Sequence, residues 1–315
     1  MVSLRVVFLG TPAFAVPSLE ALVHSRHRVV GVISQPDRPK GRGHQVQPTA
    51  TKQCALAHRI PVLQPPKIKD DAFLQAVRDL QPDLGVVVAF GRILPDSLLA
   101  IPRLGMINVH ASILPRYRGA APIHRAVLAG DTETGVTIMR VVSELDAGPM
   151  LSITRVPIPP DATSGDMETV LARAGADALI PMVDALAEGR TDERPQDHSA
   201  STHAAKITKA EGTIDWSTPA SVVHNLVRGL QPWPLASTTL DGERVVLRRT
   251  RPVALDAHAA MPGTVVRAQG DELIVACGGE TALQILEIQP EGRRTMSARE
   301  FVAGRGNLEG AGLGR

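Results

Sequence analysis

Asn108 and His110 stand two positions apart at the end of the apolar run 104–109, and side chains i and i+2 of a strand leave the same face. An amide donor and an imidazole would therefore point together beyond that strand. A carboxylate follows in Glu144-Leu145-Asp146-Ala147-Gly148, a turn after a second apolar run at 136–142. These three types suit attack on a carbonyl carbon: a donor for the developing oxyanion, a proton carrier, and a base that also orients it. The bland alternative is a hydrogen-bonded polar cap on a sheet. Three complementary groups converging, none of them a covalent nucleophile, favour the chemistry.

The elements that must position these groups are legible upstream. Val- and Ile-rich runs at 5–9, 29–34, 84–89, 106–109 and 136–142 are nearly unbroken, as in strands buried on both faces. Segments 16–25, 50–58, 71–80 and 122–129 read as crossover helices between them. The pattern predicts an α/β, Rossmann-like, doubly wound parallel sheet, whose ligands sit outside the carboxyl ends of the strands. Asn108, His110 and the Asp146 turn are expected on that edge.

At 315 residues the default is two domains. We expect a catalytic domain over 1–189, a polar extended linker over 190–209, and a second, smaller domain over 210–315. A helical pattern at 161–189 ends at Gly189, and another helix is expected at 217–230. Five period-2 strands then follow, at 237–240, 244–247, 263–267, 272–276 and 283–288, which suggests a small OB-like β-barrel. The Gly-rich tail from 304 reads as frayed.

Hydrophobic content of 43% with 21% charged residues describes an ordinary globular protein. A formal charge of +2 does not announce a nucleic-acid binder, so any RNA contact must come from a local patch. The two cysteines, Cys54 and Cys277, form neither a CxxC nor a Cys/His ligand run, which argues against a disulfide framework or structural zinc. Cys54 reads as a packed thiol. The apolar start is too short for a signal segment and no stretch reaches transmembrane length, so a monomeric cytoplasmic protein without membrane contact is expected.

The turn Gly10-Thr11-Pro12 after the first strand lacks the GxGxxG spacing of dinucleotide sites, and no P-loop occurs. After the second strand, the 35–43 loop carries Arg38, Lys40 and Arg42 among two prolines and two glycines. Its place on the ligand edge favours phosphate recognition over a merely solvated charge run. Phe90, Gly91 and Ile93 continue a strand past the sheet edge as a candidate apolar wall for a flat heterocycle, although core packing would explain the strand half equally well. In the second domain Arg244, Arg248, Arg249 and Arg251 cluster on or beside one strand, where even spacing would let Arg244 and Arg248 track a phosphate backbone.

Several of these stretches together resemble the methionyl-tRNA formyltransferase family: Gly10-Thr11-Pro12, the 35–43 loop, Ile107-Asn108-Val109-His110, the run Ser112-Ile113-Leu114-Pro115-Arg116-Tyr117-Arg118-Gly119, and Gly135-Val136-Thr137-Ile138-Met139. Ile214-Asp215-Trp216 and Pro232-Trp233-Pro234 extend the likeness into the second domain. The resemblance implies transfer of a formyl group from 10-formyltetrahydrofolate to the amino group of methionine on initiator tRNA, with no metal. It places Asn108, His110 and Asp146 in the catalytic positions and Ser112, Ile113, Leu114 and Pro115 in the folate-contacting loop. Ala111, Ile113 and Ala147-Gly148-Pro149 are mild departures. Glycinamide ribonucleotide formyltransferase shares the Asn, His and Asp pattern but consists essentially of the catalytic domain. The basic loop and the extra domain favour a macromolecular acceptor. A non-catalytic RNA-binding protein of the same fold is opposed by the intact triad.

Overall fold

The buried Val- and Ile-rich runs at 5–9, 29–34, 84–89 and 106–109 pair in parallel, as expected. The computed structural model describes residues 2–40, 45–254 and 260–314. In chain order its elements begin β1 (Arg5–Gly10), α1 (Val16–Val23), β2 (Arg28–Ile33), β3 (Arg38–Lys40), β4 (Gln45–Gln47), α2 (Ala50–Ala57), β5 (Val62–Leu63), α3 (Asp71–Asp79), β6 (Leu84–Val88), α4 (Asp96–Leu99) and β7 (Met106–His110). They continue with β8 (Arg118–Gly119), α5 (Pro122–Ala129), β9 (Glu133–Arg140), β10 (Met150–Pro157), α6 (Ser164–Ala187) and β11 (His203–Ala204). The last run is α7 (Ala220–Gly229), β12 (Ala236–Leu240), β13 (Glu243–Val253), β14 (Val265–Gln269), β15 (Glu272–Cys277), β16 (Thr281–Pro290), β17 (Met296–Ser297) and α8 (Ala298–Ala303). Among the described residues no helix is long and apolar enough to cross a membrane.

Two compact units result. One gathers residues up to 122 with 133–157 and 168–204; the other gathers 123–132, 158–167 and 205 onward. The stretch expected as a linker is thus divided at 204. Its first part belongs to the first unit, where Arg194 bridges Met150 and β11 pairs in parallel with β8.

The first unit holds a seven-stranded sheet in the order β10-β9-β7-β6-β1-β2-β5. β5, β2, β1, β6 and β7 run parallel, with β2 and β6 on opposite sides of β1. That reversal of direction opens a crevice at the carboxyl ends of β1 and β6, where doubly wound sheets bind ligands. The apolar side chains of this sheet pack with α3 and with Leu94, Leu98 and Phe90. On the strand that carries the expected catalytic pair, α6 comes very close: a Cβ at Gly175 would stand 2.7 Å from Val109 Cγ1. Only glycine admits that approach.

The sheet is not parallel throughout, and this corrects one expectation. The run at 136–142 becomes β9, which is antiparallel to β7 and to β10. Asp146 does lie beside His110, as expected, but it does not get there from the carboxyl end of a parallel neighbour strand. It lies on the connection 141–149, which returns β9 to β10. A run buried on both faces looks alike in either direction, so its composition could not reveal the reversal.

In the second unit, β12-β13-β16-β15-β14 form an antiparallel sheet, with β17 added to β16. The tail is not frayed. Leu313 bridges Leu240 at the end of β12, and Gly312 bridges Thr264 just before β14. The tail thereby links the two open edges and closes the sheet into a barrel. Unpaired edge amides and carbonyls are what it satisfies, while Leu308 and Leu313 join the apolar core.

Candidate active site

Asn108 and His110 leave the same face of β7, and the 141–149 connection carries Asp146 onto them. Asn108 Nδ2 donates to Asp146 Oδ1 at 3.5 Å, and His110 Nδ1 lies 3.6 Å from Asp146 Oδ2. Both the imidazole and the carboxylate are largely buried, at 6% and 13% side-chain exposure. The other imidazole nitrogen, Nε2, is 2.9 Å from the carbonyl of Tyr117. A carbonyl only accepts, so Nε2 carries its hydrogen there and Nδ1 is left to exchange a proton beside Asp146.

Asp146 is held from several sides. Gly119 N–H donates to its Oδ2 at 2.9 Å. Gln196 Nε2 donates to the carbonyls of Asp146 and Gly148, both at 2.8 Å. Gln196 Oε1 in turn accepts from the buried Arg118 guanidinium at 2.8 and 3.0 Å. Three non-glycine residues around this site adopt positive φ: Ala89 at 47°, Tyr117 at 62° and Asp146 at 49°. Such backbone costs on the order of 1 kcal/mol or more each and persists where surrounding contacts hold it. For Asp146 those contacts are the Gly119 and Gln196 hydrogen bonds, and for Tyr117 the one from His110.

The loop after β7 is fastened by Thr137, whose hydroxyl donates to Ser112 O at 2.7 Å and accepts from Leu114 N at 3.1 Å. Ser112 and Leu114 are buried, and the Ser112 hydroxyl is spent on Arg116 O at 2.7 Å. Of the four residues expected to meet folate, only Ile113 and Pro115 keep partly exposed side chains. The expected apolar wall narrows as well. Phe90 is 2% exposed inside the core, whereas Ile93 is 74% exposed. The carbonyl of Phe90 accepts from Gln35 Nε2 at 2.8 Å and from Thr11 Oγ1 at 3.3 Å. These bonds tie together the loops that follow β1, β2 and β6.

Arg38 is exposed on β3, which pairs with β4 as a short hairpin. Arg42 and the side chain of Lys40 lie outside the described residues. The hairpin is anchored at Asp37, which bonds Lys52 Nζ at 2.5 Å and Gln64 Nε2 at 2.7 Å. The Lys52 and Gln64 bonds hold the Asp37 carboxyl below its ordinary value. Cys54 and Cys277 are both buried, and burial pushes each thiol up to about 12, with Glu20 adding to the shift at Cys54. Neither is a thiolate nucleophile as it stands.

In the second unit the arginines sort differently from their even spacing. Register irregularities on β13 between Leu247 and Thr250 interrupt the alternation. Arg248, Arg249 and Arg251 consequently line one cavity of about 350 Å³ together with Arg228 and His224, and the carboxylates of Asp161, Asp166 and Glu287 line it too. Arg244 does not line it and instead donates to Ser237 Oγ at 3.2 Å. Arg249 is paired with Glu287 at 3.2 Å; Arg248 and Arg251 have no carboxylate partner among the described residues. Burial lowers the His224 imidazole below its ordinary value.

Gln196, Arg118 and Thr137 support the site but carried no separate signal in the sequence. Thr137, the one hydroxyl in the apolar run 136–139, was the one most open to detection. Gln196 sits in a stretch that composition marks as linker.

Comparison with known proteins agrees with this geometry. The formyl transferase family profile matches residues 4–183, and the profile described as formyl transferase, C-terminal domain, matches residues 206–306. A methionyl-tRNA formyltransferase of Pelobacter propionicus is 48% identical over all of this chain and 97% of its own length. One from Methylococcus capsulatus is 48% identical over 95% of this chain and 96% of its own. Among solved structures, an N-formyltransferase from Helicobacter canadensis, crystallised with folinic acid and dTDP-3-aminofucose, superposes with a TM-score of 0.70 over 91% of this chain and 99% of its own, at 16% identity. That likeness is one of fold. With both profiles matched in order and relatives near half identical from end to end, the chain belongs to the methionyl-tRNA formyltransferase family.

Proposed function

We propose that the chain transfers the formyl group of 10-formyltetrahydrofolate to the α-amino group of methionine on initiator methionyl-tRNA, in the cytoplasm. The observation that carries this reading is the placement of Asp146 within 3.5 Å of Asn108 Nδ2 and 3.6 Å of His110 Nδ1. As the neutral amine attacks the formyl carbon, negative charge grows on the formyl oxygen. The amide hydrogen of Asn108 that does not face Asp146 and a proton on His110 Nδ1 would meet that charge, each contributing about 3 kcal/mol of transition-state stabilisation. Asp146 accepts the proton that the attacking nitrogen loses, directly or through water, and that proton passes on, through water, to the folate nitrogen as the C–N bond to the formyl group breaks. Ile113, Pro115, the backbone of Gly91 and the exposed Ile93 would border the folate. Arg38, Lys40 and Arg42 would meet the acceptor end of the tRNA, and the cavity of Arg228, Arg248, Arg249 and Arg251 its phosphates. The functional division we propose is catalysis over 1–189, connection over 190–209 and RNA binding over 210–315, in a monomer.

The test is a formylation assay with charged initiator tRNA, charged elongator tRNA and glycinamide ribonucleotide as acceptors. Strong preference for the initiator tRNA is expected. Preference for glycinamide ribonucleotide would overturn the acceptor assignment, and no turnover with any acceptor would overturn the reaction.

A further inference from the structure

Two helices of the first unit end on histidine, and they end at the same place. His24 caps α1 and His58 caps α2, and in each helix the residue four positions earlier, Glu20 or Cys54, shares the histidine's face. α1 packs against α2. The Glu20 carboxylate is thereby seated between thiol and imidazole: Cys54 Sγ donates to Oε1 at 3.1 Å, and His58 Nε2 lies 3.0 Å from Oε2. One ligand atom from each of the three lies within 4.8 Å of the other two. His24 stands beside them: its Nδ1 donates to the main-chain carbonyl of Glu20 at 2.8 Å and lies 3.7 Å from Glu20 Oε2, its ring centroid is 5.7 Å from that of His58, and its Nε2 is the nitrogen left to ligate. None of these groups belongs to the hydrogen-bond web around Asp146.

We propose that Glu20, Cys54 and His58 form a binding site for a thiophilic divalent cation of the zinc class, with water or His24 at the fourth corner. Thiolate, imidazole and carboxylate are the donor set of tetrahedral zinc, with bonds of about 2.0–2.3 Å and hence about 3.3–3.5 Å between neighbouring donors. The two contacts to Glu20, at 3.1 and 3.0 Å, are a few tenths of an ångström shorter than that and use its two different oxygens, and all three ligand atoms lie within 4.8 Å of one another, so an ion would need the carboxylate and imidazole to shift slightly around it. The thiol forms a buried floor, while His58 and Glu20 are 30% and 39% exposed, which leaves an entry path. Both helices also present their carboxyl ends here, where the backbone dipole favours a cation. The ion would pin the end of α2 to α1. The other end of α2 begins at the Thr49 cap and Thr51, which hold the loop after β2 through Ser34 and, through Gly10, the end of β1.

The test uses the full chain, stripped with a chelator and titrated with Co2+ and then Zn2+. A thiolate-to-cobalt charge-transfer band should grow to one ion per chain and vanish as zinc displaces cobalt, and zinc should raise Tm. Cys54→Ser should abolish the band and Cys277→Ser should keep it. Glu20→Gln should weaken binding at least 10-fold. His58 is at a partly exposed helix end, so His58→Ala will fold, and it should lose both the band and the zinc-dependent rise in Tm. No charge-transfer band in the unaltered chain, or one of full strength in Cys54→Ser or His58→Ala, would overturn the site.

Discussion

Gln196 holds Asp146 in place from a distant part of the chain: a single amide nitrogen donates to the carbonyls of Asp146 and Gly148, at 2.8 Å each. Its oxygen is meanwhile engaged by buried Arg118. Gln196→Ala would take the amide partner from two carbonyls and leave the Arg118 guanidinium only its longer contacts to Glu144 and His198, at 3.4 Å each, at a cost of about 2–4 kcal/mol. The expected result is a lower Tm and a kcat reduced roughly 10-fold through misplacement of Asp146, with KM for the folate little changed. A loss confined to KM would show that Gln196 shapes the folate site instead.

Asn108→Ala and His110→Ala should each lower formyl transfer by roughly 100-fold or more, since each removes a donor to the transition state. Circular dichroism and Tm should stay close to those of the unaltered chain. Near-normal turnover in either variant would show that the pair only caps β7.

Asp146→Asn keeps the size of the side chain but removes the charge that faces His110 Nδ1 at 3.6 Å. Activity should fall, and the pH dependence of kcat/KM should lose the limb that reports the base. An unchanged profile would rule out Asp146 as the proton acceptor.

The salt dependence of tRNA binding should separate the arginines of the second unit. Arg248→Ala with Arg251→Ala should flatten the slope of log K against log salt, because these two cations line the cavity without carboxylate partners. Arg244→Ala should change it little, since Arg244 lies outside the cavity. Equal effects from both would mean that the whole outer face of the barrel tracks the phosphates.

Acid should loosen the β3–β4 hairpin. The Lys52 and Gln64 bonds hold the Asp37 carboxyl below its ordinary 3.8. A depressed carboxylate contributes stability that is present above its unfolded value and is lost as pH falls through the folded one. Amide exchange at Arg38 should therefore accelerate below about pH 4 relative to strands of the central sheet. Asp37→Asn should show fast exchange already at neutral pH.

Much of this molecule was readable from residue type and period. Continuous Val and Ile runs located β1, β2, β6 and β7, because a strand buried on both faces admits little else. The i, i+2 spacing of Asn108 and His110 put them on one face, which is a property of any strand. Tertiary structure decided the rest. The direction of β9 is invisible in a uniformly buried run, so only the fold shows that Asp146 reaches the site on a returning connection. Phe90 reads by sequence as part of an apolar wall and is core by packing. The irregular register of β13 breaks the even-spacing rule, and it separates Arg244 from Arg248. The tail's glycines suggested fraying, yet two open barrel edges recruit it. Gln196 lies 50 residues from Asp146 in the chain, and Cys54 lies 34 from Glu20. Such pairings depend on which elements pack together, and no local pattern encodes them.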